Sequence, residues 1–519
     1  FVEYQVNVLV DNSATHGAPI VFEPNPTYTN MFGTIEREVR LGALVTDFTK
    51  VKAGSLLRAN GGFLVVEALD VLRYPFVWDA LKRTLETGEV RIEDVAAHYG
   101  LVSATGLRPE PIKVDVKVAL IGSPLLHYLL YIYDEDFRKL FKVKADFDTQ
   151  MDRTPENLAQ YAYFLKSCCD REGLRHLDRS AVAAIIEYSS RLAEDQMKLS
   201  TRFGEISDIV REANYWAEQE GSLYIERAHI ERAIEEKIFR SNRIEERIRE
   251  MIARGDILVD VEGAVVGQIN GLAVIHLGDY AFGKPSRITC QTFMGREGVI
   301  NIERRARLSG SLHDKGVFIL SGYLGARYAQ DKPLSVAASL GFEQSYELVE
   351  GDSASAAELL ALLSSLAGVP LKQNLAITGS INQKGQLQPI GGVNEKIEGF
   401  FYVCKAKGLT GDQGVVIPHQ NVKNLVLRKE VVEAVREGRF HIYAVETVDE
   451  ALELFTGLPA GERDENGQFP EGTVNYLVDK RLRELAREAK EAEEEEGGEQ
   501  DGEEGTEARR ARVRRRLRT

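Results

Sequence analysis

Two short stretches of this chain carry side chains whose types and spacing could do covalent chemistry. They are Glu350-Gly351-Asp352-Ser353-Ala354-Ser355 and Gly391-Gly392-Val393-Asn394-Glu395-Lys396-Ile397-Glu398. A serine hydroxyl becomes a nucleophile when a neighbouring base takes its proton, and a lysine amine serves as that base once it is neutral. An exposed lysine, with a pKa of about 10.4, is charged at neutral pH, and only desolvation or a nearby cation brings that value down. Ser353 and Lys396 therefore predict acyl transfer only if the fold buries the amine against the hydroxyl. Taken singly, each has an ordinary reading: Ser353 as a helix N-cap and Lys396 as a solvated helix residue.

The elements around them must supply that geometry. The run from Leu334 to Val349 reads as a strand with a break near Gly341, and Ala356–Leu363 reads as a helix of strong helix formers. Ser353 then sits at a strand-to-helix junction, where unpaired backbone N–H groups and the positive helix end would stabilise a developing oxyanion. The donors expected are those around Asp352 and Ser353. Lys396 opens a helix after Pro389-Ile390-Gly391-Gly392-Val393, a small and apolar run compatible with tight packing.

Together with Ala376-Ile377-Thr378-Gly379, these stretches resemble the proteolytic domain of the Lon family. The separation 396 − 353 = 43 is the one that family uses between its catalytic Ser and Lys. Thr378 falls where the family places a Thr that hydrogen-bonds the Lys. Val266–Ala273 resembles the domain's opening strand, and Val415-Val416-Ile417-Pro418-His419-Gln420-Asn421 its apolar-strand-Pro-x-x-Asn signature. Ordered matches of this kind over a long span are far more specific than any one of them. The resemblance implies a Ser–Lys endopeptidase that degrades unfolded or damaged polypeptides as a homo-oligomeric ring, a hexamer, with no metal in the peptidase site. Glu350 and Asp352 flank the nucleophile and either pair with Lys396 in a resting form or cap the helix start. His276 and His419 are read as surface or substrate-groove residues.

The chain's 519 residues exceed one core, so roughly two to four domains are expected. A hydrophobic content of 44% and a charged content of 28% are ordinary for a globular protein. A net charge of −15 argues against a generally nucleic-acid-binding surface. Cys168, Cys169, Cys290 and Cys404 lack metal-ligand spacing and fit a reducing cytoplasm. No apolar run is long enough for a membrane span, and no signal peptide is visible. The first residue is Phe, which leaves room for an upstream part of the gene product.

The expected fold is multidomain α/β. Residues 1–150 hold a buried parallel strand after Gly61-Gly62, a helix from Phe76 closed by Gly88, and a strand from Val114; Val6–Val10 alternates weakly. They resemble the later half of an AAA+ core, and Phe22-Glu23-Pro24-Asn25-Pro26-Thr27 and Asp134-Glu135-Asp136-Phe137-Arg138 resemble the LonB/LonC-like branch with divergent modules. A Walker B strand normally ends in Asp-Glu, whereas this one ends in Glu67-Ala68. Lys142 stands where an arginine finger is expected, and it forks phosphate less well. No Gly-x-x-x-x-Gly-Lys-Ser/Thr occurs, and in Gly283-Lys284-Pro285-Ser286 the residue after the lysine is Pro285 rather than Ser or Thr. The nucleotide site reads as degenerate, with ATP and Mg²⁺ not required for peptide hydrolysis. Two alternatives stay open: an ATP-dependent enzyme with its phosphate loop upstream of Phe1, and a non-proteolytic scaffold or chaperone.

Residues 151–254 read as a helical AAA+ lid, with helices near Pro155–Leu165, Ala181–Met197, Ile206–Glu218 and Glu226–Ile252. Arg202 lies near the family's sensor-2 arginine, or is simply solvated. Residues 255–457 read as the proteolytic α/β domain, closed by a capping box at Thr447 and Glu450. Residues 458–519 read as a disordered tail, with at most a short helix at Tyr476–Lys490. Glu491–Glu507 has ten acids, and 509–518 seven arginines. Those arginines leave nucleic acid open as a partner; pairing with the acidic block is simpler.

Overall fold

The apolar run after Gly62 forms the middle strand of a small parallel sheet. In the computed structural model, which describes residues 4–40, 43–93 and 107–491, the chain divides into two units, Phe1–Phe147 and Asp148–Thr519. In the first, β1 (Ile20–Glu23), β2 (Phe63–Glu67) and β3 (Lys117–Ile121) lie side by side and parallel. Leu64 and Val66 point into a core with Met31, Phe32, Leu56, Val77 and Leu81. The helix Val77–Thr87 ends on Gly88 at φ 68°, a left-handed conformation that glycine adopts without penalty. Val6–Val10 forms no strand; the sheet begins only at Ile20.

The second unit begins with helices Pro155–Glu172, Arg179–Leu192, Phe203–Gln219, Arg227–Ser241 and Arg243–Arg254. Thr154 caps the first through Asn157 N–H, with Pro155 in the opening turn. Tyr161, Leu165, Ile185, Ile206, Ile209 and Ile230 form their core. Two expectations are corrected. The helix expected to reach Met197 stops at Leu192, because Lys198–Ser200 pairs antiparallel with Gln150–Asp152. The long charged helix over 226–252 is two helices, broken at Asn242.

These helices share their unit with a seven-stranded mixed sheet. Its strands are β4 (Gln268–Leu277), β5 (Tyr280–Met294), β6 (Gly298–Asn301), β7 (Val336–Phe342), β8 (Leu375–Ile377), β9 (Gly414–Pro418) and β10 (His441–Val445). The order is β6-β7-β5-β4-β8-β9-β10, with β4–β5 and β5–β7 antiparallel and the remaining pairs parallel. Helices Ser311–Tyr328 and Ser355–Ala367 belong to the core built on Ile269, Leu340 and Ile377. The helix Val393–Lys407 packs with Leu272, Ala376 and Val415 in a separate cluster.

The strand expected over 334–349 ends at Phe342. Gln344 turns the chain at φ 54°, and its side chain accepts from Leu258 N–H, so the stretch up to Ser353 is loop. The helix expected at Tyr476–Lys490 is present, but it belongs to the folded unit and not to a disordered tail. Residues 474–491 form a helix that buries Val474, Val478, Leu482 and Leu485 in the same core as the Ser355–Ala367 helix. Asn475 is fully buried and accepts from Tyr328 Oη at 2.6 Å, which fixes the register of this extension. The arginine cluster and most of the acidic block lie outside the described residues.

Candidate active site

The Ser353 loop is held by backbone rather than by side-chain capping. Ala354 is the N-cap of Ser355–Ala367 and makes no side-chain cap bond, so the Ser353 hydroxyl is free of the ordinary capping role. The carbonyl of Ser353 accepts from Gly379 N–H at 2.8 Å and from Thr378 Oγ1 at 3.3 Å. Ala356 N–H donates back to Gly379 O at 3.1 Å, and Ser355 Oγ accepts from Ile381 N–H at 3.1 Å. The loop is thus stitched to the end of β8. Thr378, beyond the end of that strand, is completely buried.

Lys396 is carried to the same point by the helix Val393–Lys407 lying directly on β5. A side chain at Gly283 would sit 2.0 Å from the carbonyl oxygen of Glu395, and one at Gly399 2.2 Å from the carbonyl of Gly283. Only two glycines allow strand and helix backbones to approach so closely. The Gly283-Lys284-Pro285-Ser286 run is therefore strand, serving as the bed of the Lys396 helix.

The result is a buried triad of polar atoms. Lys396 Nζ donates to Ser353 Oγ at 2.9 Å and to Thr378 Oγ1 at 3.2 Å. Lys396 is only 4% exposed. Burial depresses its pKa to about 8, against the opposing pull of the Asp352 and Glu395 charges, which favour the ammonium. No carboxylate oxygen lies within ion-pair distance of Nζ among the described residues, so Asp352 acts on it only through its field. The backbone N–H groups of Asp352 and Ser353 carry no hydrogen bond within the described residues, which leaves them available as donors.

Glu350 is elsewhere. Its carboxylate accepts from Leu312 N–H at 3.3 Å, at the start of Ser311–Tyr328, and it packs on Gly310. It therefore sits at the start of Ser311–Tyr328, not at the start of the Ser355–Ala367 helix beside the nucleophile. His276 and His419 are both exposed. Behind the nucleophile lies a buried pair that sequence reasoning missed: His313 Nε2 and Glu358 Oε1, 3.1 Å apart, join the two helices flanking the Ser353 loop. Burial lowers the His313 pKa, but the Glu358 carboxylate, together with the charges of Glu303 and Asp314, more than offsets this and leaves it raised.

The residues assigned to a nucleotide site are not organised in this way. Glu67 ends β2, and Ala68 puts a buried methyl against Gly122 where a second carboxylate would be needed. Lys142 is exposed on an irregular segment. Arg202, in the second unit, is more than half exposed and pairs with Glu205 at 3.5 Å. Among the described residues of the first unit, the buried acid is instead Glu23, which accepts from Arg58 and Asn25 N–H, each at 3.1 Å, and from Ser55.

Comparison with known proteins gives three family matches in order along the chain. A LonB-like AAA domain model matches residues 16–148, an archaeal LonB AAA+ ATPase lid model matches 176–240, and a Lon protease (S16) C-terminal proteolytic domain model matches 348–456. Relatives include a putative Lon protease homolog of Escherichia coli, 34% identical over 450 residues, covering 84% of this chain and 73% of the relative. A putative Lon protease homolog of Haemophilus influenzae is 32% identical, covering 83% and 70%. An archaeal Lon protease of Archaeoglobus fulgidus is 28% identical, covering 86% and 69%.

Proposed function

The chain belongs to the Lon protease family, and from that premise we propose that Ser353 and Lys396 form the dyad of its serine peptidase. The observation that carries the reading is the buried Lys396 amine, 2.9 Å from Ser353 Oγ with Thr378 as its second partner. Neutral Lys396 takes the Ser353 proton as Oγ attacks the scissile carbonyl. The tetrahedral oxyanion forms beside the N–H groups of Asp352 and Ser353. The protonated amine then gives its proton to the leaving amine, and Lys396 next activates the water that releases the acyl group. With a pKa of about 8, roughly a tenth of the lysine is neutral at pH 7, against under a thousandth for an exposed lysine. Thr378 orients the amine through a short, stiff side chain tied to the Ser353 carbonyl.

The substrates in this reading are unfolded or damaged polypeptides, and the enzyme works as a homohexameric ring. Ala68 cannot activate water and Lys142 lies exposed, so peptide hydrolysis proceeds without nucleotide-driven unfolding. Cleavage then tracks how often a substrate opens by itself. The test uses casein and a tightly folded domain, each with and without Mg²⁺-ATP, for the wild type and Ser353→Ala. Casein is cleaved equally in both conditions by the wild type only, and the folded domain resists in both. Cleavage by Ser353→Ala contradicts the dyad; strong ATP stimulation on the folded domain contradicts energy independence.

A further inference from the structure

The lid reaches the Lys396 helix through a partly buried ion pair. Arg191, in the last turn of Arg179–Leu192, forks onto Glu398, with Nη1 to Oε1 at 2.6 Å and Nη2 to Oε2 at 2.8 Å. Its Nη2 also reaches Glu395 Oε1 at 3.3 Å. Glu395 precedes Lys396 directly, and Glu398 lies two residues beyond it. Glu398 is 3% exposed and has a second cation, Arg428, at 3.1 Å. Arg191 is the one cation paired with Glu395 among the described residues.

The contact extends beyond one pair. Gln196 N–H donates to Lys423 O at 2.9 Å, and Gln196 Nε2 donates to Val422 O and Leu425 O. Asn424 Nδ2 donates to Glu194 O at 2.8 Å. The loop so gripped holds the start of the Lys396 helix: Asn421 bonds Ile390 N–H and O, each at 2.9 Å, and Asn394 bonds Asn424 O and Val426 N–H. A continuous run of polar contacts therefore joins the lid tip to the first turn of the helix that carries the base.

We propose that Arg191 is a positioning residue for peptide hydrolysis: from the lid it clamps Glu395 and Glu398, and so holds the Lys396 amine on Ser353 with the neighbouring negative charge balanced. The inference rests on the dyad reading. The ionisable groups around Lys396 are Asp352 from the nucleophile loop and Glu395 from its own helix. Around the two carboxylates stand Arg191 and Glu194 from the lid, Arg428 before the helix Lys429–Arg436, Tyr280 from β5, and Tyr402 one turn along. Without the Arg191 guanidinium, Glu398 keeps Arg428, whereas Glu395 is left as an unpaired carboxylate beside the amine. A negative charge there favours the ammonium and starves the reaction of neutral base.

The experiment measures kcat/KM against pH for a fluorogenic peptide, using the full chain, with assembly checked by sedimentation. The variants are Arg191→Met, Arg191→Lys, Glu395→Gln and Arg191→Met/Glu395→Gln. Arg191→Met moves the ascending limb up by roughly one pH unit, which lowers kcat/KM at pH 7 about tenfold with KM little changed. Arg191→Lys recovers part of the shift, and the double variant returns the limb close to the wild-type position. Glu395→Gln alone, which leaves the Glu398 fork in place, moves the limb down. A limb unmoved in Arg191→Met, an even loss at all pH values, or an upward move in Glu395→Gln overturns the proposal. Should the wild type show no ascending limb, or Ser353→Ala stay active, the dyad reading itself has failed, and the two failures are thereby told apart.

Discussion

Lys396 lies 4% exposed between two hydroxyls, whereas Lys142 is exposed on an irregular segment of the other unit. Both stand where a motif would put a working charge. Around Lys396 the backbone itself has been shaped, with Gly283 and Gly399 letting helix and strand touch and Gly379 tying down the Ser353 loop. Around Glu67 and Lys142 nothing comparable is seen among the described residues, and the first unit buries a different carboxylate, Glu23, in a plain structural bond network. Burying a lysine is unfavourable and is retained where its shifted pKa is used. The difference teaches that a motif's residues count as a site only when the fold over-determines their positions.

The comparison breaks most sharply at the base. Lys396→Arg should lower casein cleavage by at least roughly a thousandfold at pH 7, since a guanidinium stays protonated. Retained activity in a properly assembled variant would place Lys396 with Lys142 as a bystander.

Next in size is the carboxy-terminal extension. Ending the chain before residue 474 removes four buried aliphatic side chains, each worth roughly 1.5–3 kcal/mol of burial, and should unfold or aggregate the second unit. Ending it after Glu491 should leave casein cleavage and melting unchanged. Equal behaviour of the two truncations, in thermal melts, would contradict the packing described.

A smaller effect sharpens the contrast from the stability side. The folded-state pKa of Lys396, about 8, lies below its unfolded value, so the unfolded chain binds the proton more tightly. This group's contribution is therefore most favourable above about pH 10.5, and is lost as pH falls through about 8. Lys396→Met should stabilise the second unit at pH 7, by up to about 3 kcal/mol, while abolishing cleavage. A destabilised Lys396→Met, by denaturant titration, would mean that the amine is held by something stronger than its two hydroxyls. Smallest of all, Glu67→Gln should leave casein cleavage within about twofold of wild type, as for other surface substitutions away from a site.

Much of this site was legible because its parts are local. Gly351-Asp352-Ser353 and the Lys396 helix are contiguous runs, and their separation matched a known pattern. The strand before Ser353 was overextended because Leu348 and Val349 were taken as its end, although Glu343-Gln344-Ser345 interrupts the apolar run and the chain turns at Gln344. The last helix was legible at Tyr476–Lys490, but its packing was hidden by composition: Val474, Val478, Leu482 and Leu485 repeat at helical spacing and run straight into the acidic block. Arg191 had no local signal at all, since its partners are more than two hundred residues away in the chain.

The central claim is that Ser353 is a nucleophile because Lys396 is a neutral, buried base. Labelling with a peptidyl fluorophosphonate, followed by peptide mapping by mass spectrometry across pH, reads this without needing turnover. A single adduct is expected on Ser353, forming faster as pH rises through about 8, and no adduct on that timescale in Lys396→Met. An adduct on another residue, or a Ser353 adduct forming as fast in Lys396→Met as in wild type, would contradict it.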